Sequence, residues 1–277
     1  MRRALAMALV MSVTACDAGG VEPPLIETAT TVQAGGLPII DVIARVSSVA
    51  DGDSFQAMAE GEEIEVRLVG INAPEGDECF GAESAEWLSQ LIDGKEIGLA
   101  LEAEPDQFDR LLARAVIDSA YVNLVAVATG HAVVVSEAGI DRAAWVKVED
   151  AARLDGTGLW GEDICGASGP KASLEIVDIL YNRPGPVDFE TVTIENTGDE
   201  PINLSGFTLR DESSTNRYAM PTELLAPGAR HVVVVTSCDP LHPLGPAWCV
   251  EEPVWNNAGD TAFLLDTYGR IVAVQRY

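Results

Sequence analysis

Positive charge is what this chain has least of. Lys and Arg number 17 against 44 Asp and Glu, a formal net charge of −27 over 277 residues. Tight binders of duplex nucleic acid draw their affinity from neutralising phosphates, so the balance argues against that class. A soluble protein in cation-rich or salty surroundings fits the balance better. Histidine is also scarce, with three in all. His131 follows a helix end, His231 opens a strand and His242 sits among prolines, and each reads as structural or solvated. Cysteines occur without Cys-x-x-Cys spacing, which argues against a zinc site. There is no Gly-rich phosphate cradle, no Ser-His-Asp arrangement and no internal repeat. The apolar run over residues 4–13 is too short to span a bilayer. What remains is ample for packing: 47% of residues are hydrophobic, and the length favours roughly two domains.

The N-terminus speaks to the compartment. Met1-Arg2-Arg3 is a short positive region, and the apolar run follows it. Val13-Thr14-Ala15-Cys16 then resembles a bacterial lipoprotein lipobox. Cleavage before Cys16 would leave a lipidated cysteine, and an ordinary secretory leader is the alternative. Either way we expect an exported protein, lipid-anchored at the bacterial cell surface or on the periplasmic side of the membrane. Residues 1–15 are then the signal peptide, and residues 16–38, rich in Gly and Pro, are a flexible tether.

Five cysteines parse as one plus four. With Cys16 used by lipid, Cys79, Cys165, Cys238 and Cys249 remain, an even count suited to an oxidising compartment. Four cysteines permit three connectivities. Cys79–Cys165 with Cys238–Cys249 keeps each bond inside one domain and is the preferred pairing.

The first domain is expected over residues 39–166. It holds 8 Lys and Arg against 26 Asp and Glu between residues 41 and 166, net −18. Strands are expected at 43–49, 54–59, 62–71, 95–102 and 114–118, where apolar and polar residues alternate. Helices are expected at 82–92, 122–128 and 141–154. Asn123 and Asp141 are read as caps, with Ala144, Val148 and Ala151 as the inward face of the last helix. Trp87, Trp145 and Trp160 are read as core. Five strands with interspersed helices predict a small closed barrel of the OB type. Residues 167–171 are a linker. Residues 172–277 carry short, evenly spaced strands separated by Gly, Pro and Asn, which predicts a β-sandwich. The whole is mainly β with helices.

Chemistry concentrates on three segments. Arg67-Leu68-Val69-Gly70-Ile71-Asn72-Ala73-Pro74-Glu75 delivers a cation, an amide oxygen and a carboxylate at one strand end, terminated by Pro74. Asp51-Gly52-Asp53-Ser54 is a turn ahead of it, and Asp106-Gln107-Phe108-Asp109-Arg110 lies downstream. Two arginines with a few acids on separated segments suit metal-assisted phosphodiester cleavage. A cation holds the phosphate, a carboxylate prepares water, and guanidinium groups stabilise the developing charge.

These motifs, in order, resemble the staphylococcal-nuclease-like (thermonuclease) domain over residues 46–160. The match includes the DGDS turn, the RLVGINAPE strand end, FDRLLARAVI, VNLVAVATGHA and the closing GLW. The resemblance implies an OB-type five-stranded barrel plus three helices that cleaves DNA or RNA with Ca2+. By position, Asp53, Asn72 and the Ala73 backbone carbonyl would hold calcium. Glu75 would position or deprotonate water, and Arg67 and Arg110 would bind the phosphate. Asn72 stands where the family usually has aspartate, Ala73 where it has a hydroxyl residue, and Asp109 where it often has glycine. Asp109 is expected to compete for Arg110. Residues 172–277 resemble the lamin-tail domain, an immunoglobulin-like sandwich, and imply a binding or positioning module of unknown ligand. The expected protein is a monomeric surface nuclease with a nucleic acid substrate, single-stranded DNA or RNA favoured, held at the membrane through lipid on Cys16. The competing expectation is a degenerate, non-catalytic cell-surface scaffold.

Overall fold

A computed structural model describes residues 37–136, 141–181, 190–213, 215–235, 237–239, 242–250 and 252–277. The leader, Cys16 and nearly all of the expected tether lie outside these residues.

In the first domain, β1 (Val42–Val49), β2 (Ser54–Ala59), β3 (Glu62–Leu68), β4 (Ile71–Asn72), β5 (Glu96–Leu101), β6 (Leu111–Ile117), β7 (Ala120–Tyr121) and β8 (Val133–Val134) alternate with three helices. These are α1 (Gly81–Ile92), α2 (Val122–Ala128) and α3 (Arg142–Leu154). The sheet runs β3-β2-β1-β5-β6-β7, and a parallel pairing of β3 with β6 closes five strands into the expected barrel. Phe55, Val66, Leu68, Ile97, Leu99 and Ala115 fill it, with Leu88 and Ile92 of α1 packed alongside.

Three local expectations are corrected. Residues 62–71 form two strands, because Gly70 takes a left-handed φ of 76° and turns β4 away to pair with β8. Asn123 is not a cap: it lies fully buried inside α2 and accepts from Ala115 N while donating to Val69 O at 2.9 Å. It thereby pins the bend at residues 69–70 to β6. Asp141 does cap α3, accepting from Ala144 N. Ala144 and Val148 pack partly buried against the barrel core as expected, but Ala151 is exposed, and the fully buried positions are Trp145, Glu149 and Ala152. The shift arises because α3 is covered from two sides, by the barrel and by the second domain.

The second domain contains β9 (Leu174–Leu180), β10 (Glu190–Asn196), β11 (Ile202–Asn203), β12 (Thr208–Arg210), β13 (Arg217–Ala219), β14 (Leu224–Leu225), β15 (Arg230–Val235), β16 (Ala247–Trp248), β17 (Thr261–Leu265) and β18 (Ile271–Arg276). Two four-stranded sheets, β16-β15-β10-β9 and β13-β12-β17-β18, enclose Val192, Ile194, Leu209, Val233, Trp255 and Leu264. Among the described residues, β15 and β16 pair in parallel and the other neighbours within them are antiparallel. Disulfides join Cys79 to Cys165 and Cys238 to Cys249, with Cα separations of 5.4 and 4.4 Å.

The two domains share a core. Val133, Val135, Ala152, Leu159 and Trp160 pack with Phe263, Leu265 and Ile271 of the sandwich. Ion pairs cross the same seam: Glu149 with Arg276, Glu212 with Arg142, and Glu78 with Arg217. Arg270, itself buried and paired with Asp266, donates to the carbonyls of Glu162 and Gly169 and so fixes the connecting segment.

Candidate active site

The site sits where the bend after β3 meets the turn before β2 and the segment before β6. Asp53 N donates to Asp51 Oδ1 at 2.8 Å, which orders the turn. Gly52 between them has no room for a side chain, since a Cβ there would stand 2.7 Å from that of Ala73 and 2.6 Å from that of Ser84. The turn is therefore pressed directly against the strand end. Asp53 closes the contact through Oδ2, which accepts from Ala73 N at 2.6 Å and from Arg67 Nη1 at 2.6 Å.

Arg67 is the hub. Besides Asp53 it reaches the carbonyl of Ile71 at 3.1 Å and Asn72 Oδ1 at 3.2 Å through Nη2. Arg110 stands opposite, its Nε on Asp106 Oδ2 at 2.7 Å and its Nη1 3.4 Å from Ser54 Oγ. Asp106 also accepts from Arg110 N and Phe108 N, so one carboxylate shapes the loop and aims the guanidinium. The expected competition from Asp109 is corrected accordingly: the acid on Arg110 is Asp106. Asp109 instead adopts a left-handed φ of 65°, the backbone geometry glycine takes most easily.

These side chains surround one cleft of about 530 Å3, lined by Asp51, Asp53, Arg67, Asn72, Glu75 and Arg110 from the first domain. Glu75 is exposed on its rim. Ala73 is buried behind it, its N–H on Asp53. Burial raises the Asp53 carboxyl to about 7; Arg67 opposes that rise and Asp51 adds to it. A buried acid beside a second acid is a place where added positive charge is favourable.

The donors fit a hard cation in kind: carboxylate, amide and carbonyl oxygens are calcium ligands. They are few, since among the described residues no three His, Cys, Asp or Glu side chains group as a metal site. Arg67 already holds Asp53 Oδ2 and Asn72 Oδ1, so a cation held by these residues would compete with it.

Two kinds of residue escaped the sequence reading. In the sequence Asp51 and Asp106 read only as parts of turns, although an acid two or four residues before a key side chain is a recognisable orienting signal. Glu212, Ser213 and Thr215 come from the second domain and line the same cleft; nothing local in the sequence marks them. The histidines stay out of the site. His131 stacks on Trp87 at 4.7 Å, and burial lowers it to about 4. His231 is buried against Glu223.

Two arginines and several oxygen donors thus converge at the rim of a closed five-stranded barrel of the OB type. Comparison with known proteins gives the family. Residues 65–162 match the staphylococcal nuclease homologue family, residues 167–277 match the lamin tail domain, and the chain belongs to the staphylococcal nuclease homologues. It is 30% identical over 123 residues to an uncharacterized endonuclease of Escherichia coli O157:H7, covering 44% of this chain and 79% of that protein. An uncharacterized endonuclease of Haemophilus influenzae is 32% identical over 120 residues, 43% of this chain and 66% of the relative. A micrococcal nuclease of Shigella flexneri is 32% identical over 72 residues, 26% and 41% of the two chains. The first two matches each cover less than half of this chain.

Proposed function

We propose that this chain is a calcium-dependent nuclease that hydrolyses phosphodiester bonds of DNA or RNA. The observation that carries the reading is the convergence of Asp53, Arg67, Asn72, Glu75 and Arg110 on one cleft from three separated segments. A scaffold has no need of that convergence.

In this reading a phosphate enters between Arg67 and Arg110, whose guanidinium groups face the negative charge that grows on the non-bridging oxygens. Glu75, exposed on the rim, takes a proton from water as that water attacks phosphorus. The bond to the leaving oxygen breaks, and that oxygen is protonated from solvent. Asp106 keeps Arg110 aimed throughout. Calcium, when bound, supplies charge neutralisation and polarisation at a phosphate oxygen. Asp53, Asn72 through its amide oxygen and the Ala73 carbonyl are the residues that would hold it, with Asp51 beside them. Arg67 is then available to phosphate to the extent that a cation takes its place on Asp53.

The substrate is a single strand of DNA or RNA, since a domain with net charge −18 is poorly suited to a long duplex polyanion. The leader and Cys16 support export and lipid anchoring, with the chain acting as a monomer at the cell surface or periplasmic face. The test is a gel assay of the purified soluble protein on single-stranded DNA and RNA. Cleavage with calcium that stops in chelator supports the reading. Intact substrate in calcium, from protein with a wild-type melting transition, refutes it.

A further inference from the structure

We propose that the second domain is a working part of this site: Glu212, Ser213 and Thr215, which follow β12, form one wall of the cleft and touch the nucleic acid strand. The proposal rests on the nuclease reading and adds a substrate contact to it.

Thr215 and Ser213 line the cleft together with Arg67 and Arg110. Thr215 is exposed there, and its hydroxyl bonds that of Ser213 at 3.0 Å. Hydroxyls at such a position suit phosphate and sugar oxygens and carry no base preference of their own.

The wall is held rigidly. The Glu212 carboxylate accepts from Ser136 N at 2.6 Å, Arg142 Nη2 at 2.7 Å and Thr261 Oγ1 at 2.7 Å, so one side chain clasps the barrel domain to the sandwich. Asp211 accepts from Ser213 N, Ser213 Oγ and Asn216 Nδ2, which sets the turn from within. Behind it lie the shared core and the Glu149–Arg276 pair. A module tethered loosely for some other ligand would have no use for a clasp inside the cleft of its neighbour.

The contact also accounts for Asn72. Its Oδ1 accepts from Arg67, and its Nδ2 donates to the main-chain carbonyl of Glu212 at 3.0 Å. An ionised aspartate can only accept, so it could serve Arg67 but not the carbonyl. Asparagine serves both. The amide at this position is thus the chemistry required where the second domain docks onto the bend after β3.

The experiment places a lysine on the wall. Thr215→Lys in the full chain is compared with Thr197→Lys, an exposed position of the same domain away from this cleft. Both change net charge equally. Binding is read by fluorescence anisotropy of a short single-stranded phosphorothioate DNA in chelator, and kcat/KM is read separately with calcium. Melting transitions confirm folding. Thr215→Lys is expected to lower Kd severalfold at low salt. It should steepen the dependence of log K on log salt by about 0.7, the increment for one added phosphate contact on a single strand. Thr197→Lys should leave that slope unchanged. Equal slopes for the two variants, or no change in either, overturns the proposal. Because binding is read without catalysis, an inactive wild type would refute the nuclease reading while the wall is still tested.

Discussion

Replacing Arg276 by methionine strands a buried charge at the seam between the domains. Glu149 is 1% exposed and its carboxylate has two partners, Val134 N at 2.6 Å and the Arg276 guanidinium from β18. Methionine keeps much of the volume and removes the charge and donors. A buried carboxylate losing its cation costs about 3–5 kcal/mol, against a total stability of roughly 5–15 kcal/mol. Protonation limits that cost, because burial already raises the Glu149 carboxyl while Arg276 opposes the rise. The sign follows. Without Arg276 the folded-state pKa moves further above the unfolded value, so the penalty is present when Glu149 is ionised at neutral pH and is relieved as pH falls. The deficit should therefore shrink between about pH 7.5 and pH 5. Glu149→Gln combined with Arg276→Met removes the stranded charge and should recover most of the loss. Urea unfolding followed by tryptophan fluorescence and far-ultraviolet circular dichroism measures it. Trp87 and Trp145 report on one domain, Trp248 and Trp255 on the other, and Trp160 on the core they share. Wild type should unfold in one coincident transition. Two separated transitions, or a loss below about 1 kcal/mol in Arg276→Met, would refute the reasoning.

Further outcomes follow from the same contacts. Asn72→Asp should lower the calcium concentration for half-maximal activity, by adding an anionic ligand. It should also cost about 1–3 kcal/mol of calcium-free stability, because an acceptor then faces the Glu212 carbonyl; unchanged stability would remove the interdomain tie. Burial holds His131 at about 4 against an ordinary 6.5, so its contribution is complete above pH 6.5 and is lost as pH falls toward 4. Relative to His131→Gln, wild type should lose about 2–3 kcal/mol between pH 7.5 and 4.5; parallel behaviour of the two proteins contradicts it. With the barrel domain at −18, added salt screens long-range repulsion before it weakens the contacts of Arg67 and Arg110. At saturating calcium, kcat/KM on single-stranded DNA should be flat or rising from about 0.01 to 0.15 M salt, and a steep monotonic fall would show that a local basic patch dominates.

The barrel was legible because its strands alternate cleanly and its turns carry Gly and Asp at the expected places. Its finer geometry depends on long-range partners that periodicity cannot report. Gly70 reads as an ordinary residue of a strand until β8 and Asn123 take hold of the bend it makes. The burial of α3 follows two contact surfaces, and a single helical stripe describes only one. For the site, the resemblance to the nuclease domain singled out Asp53, Arg67, Asn72, Glu75 and Arg110, and these side chains line one cleft. The orienting acids could have been inferred from their offsets. Glu212 could not, since it lies 140 residues beyond Asn72 and its role depends on how two domains dock.

Single-turnover cleavage of single-stranded DNA by Glu75→Gln and Arg110→Ala, in saturating calcium, tests the central claim most directly. Both side chains are assigned to the transition state, one as base and one as an oriented donor to phosphate. Each loss should lower the rate by about a hundredfold or more. The melting transition should stay near that of wild type, since Glu75 is exposed and Arg110 lies at the cleft surface. Wild-type-like turnover in both variants would contradict the account.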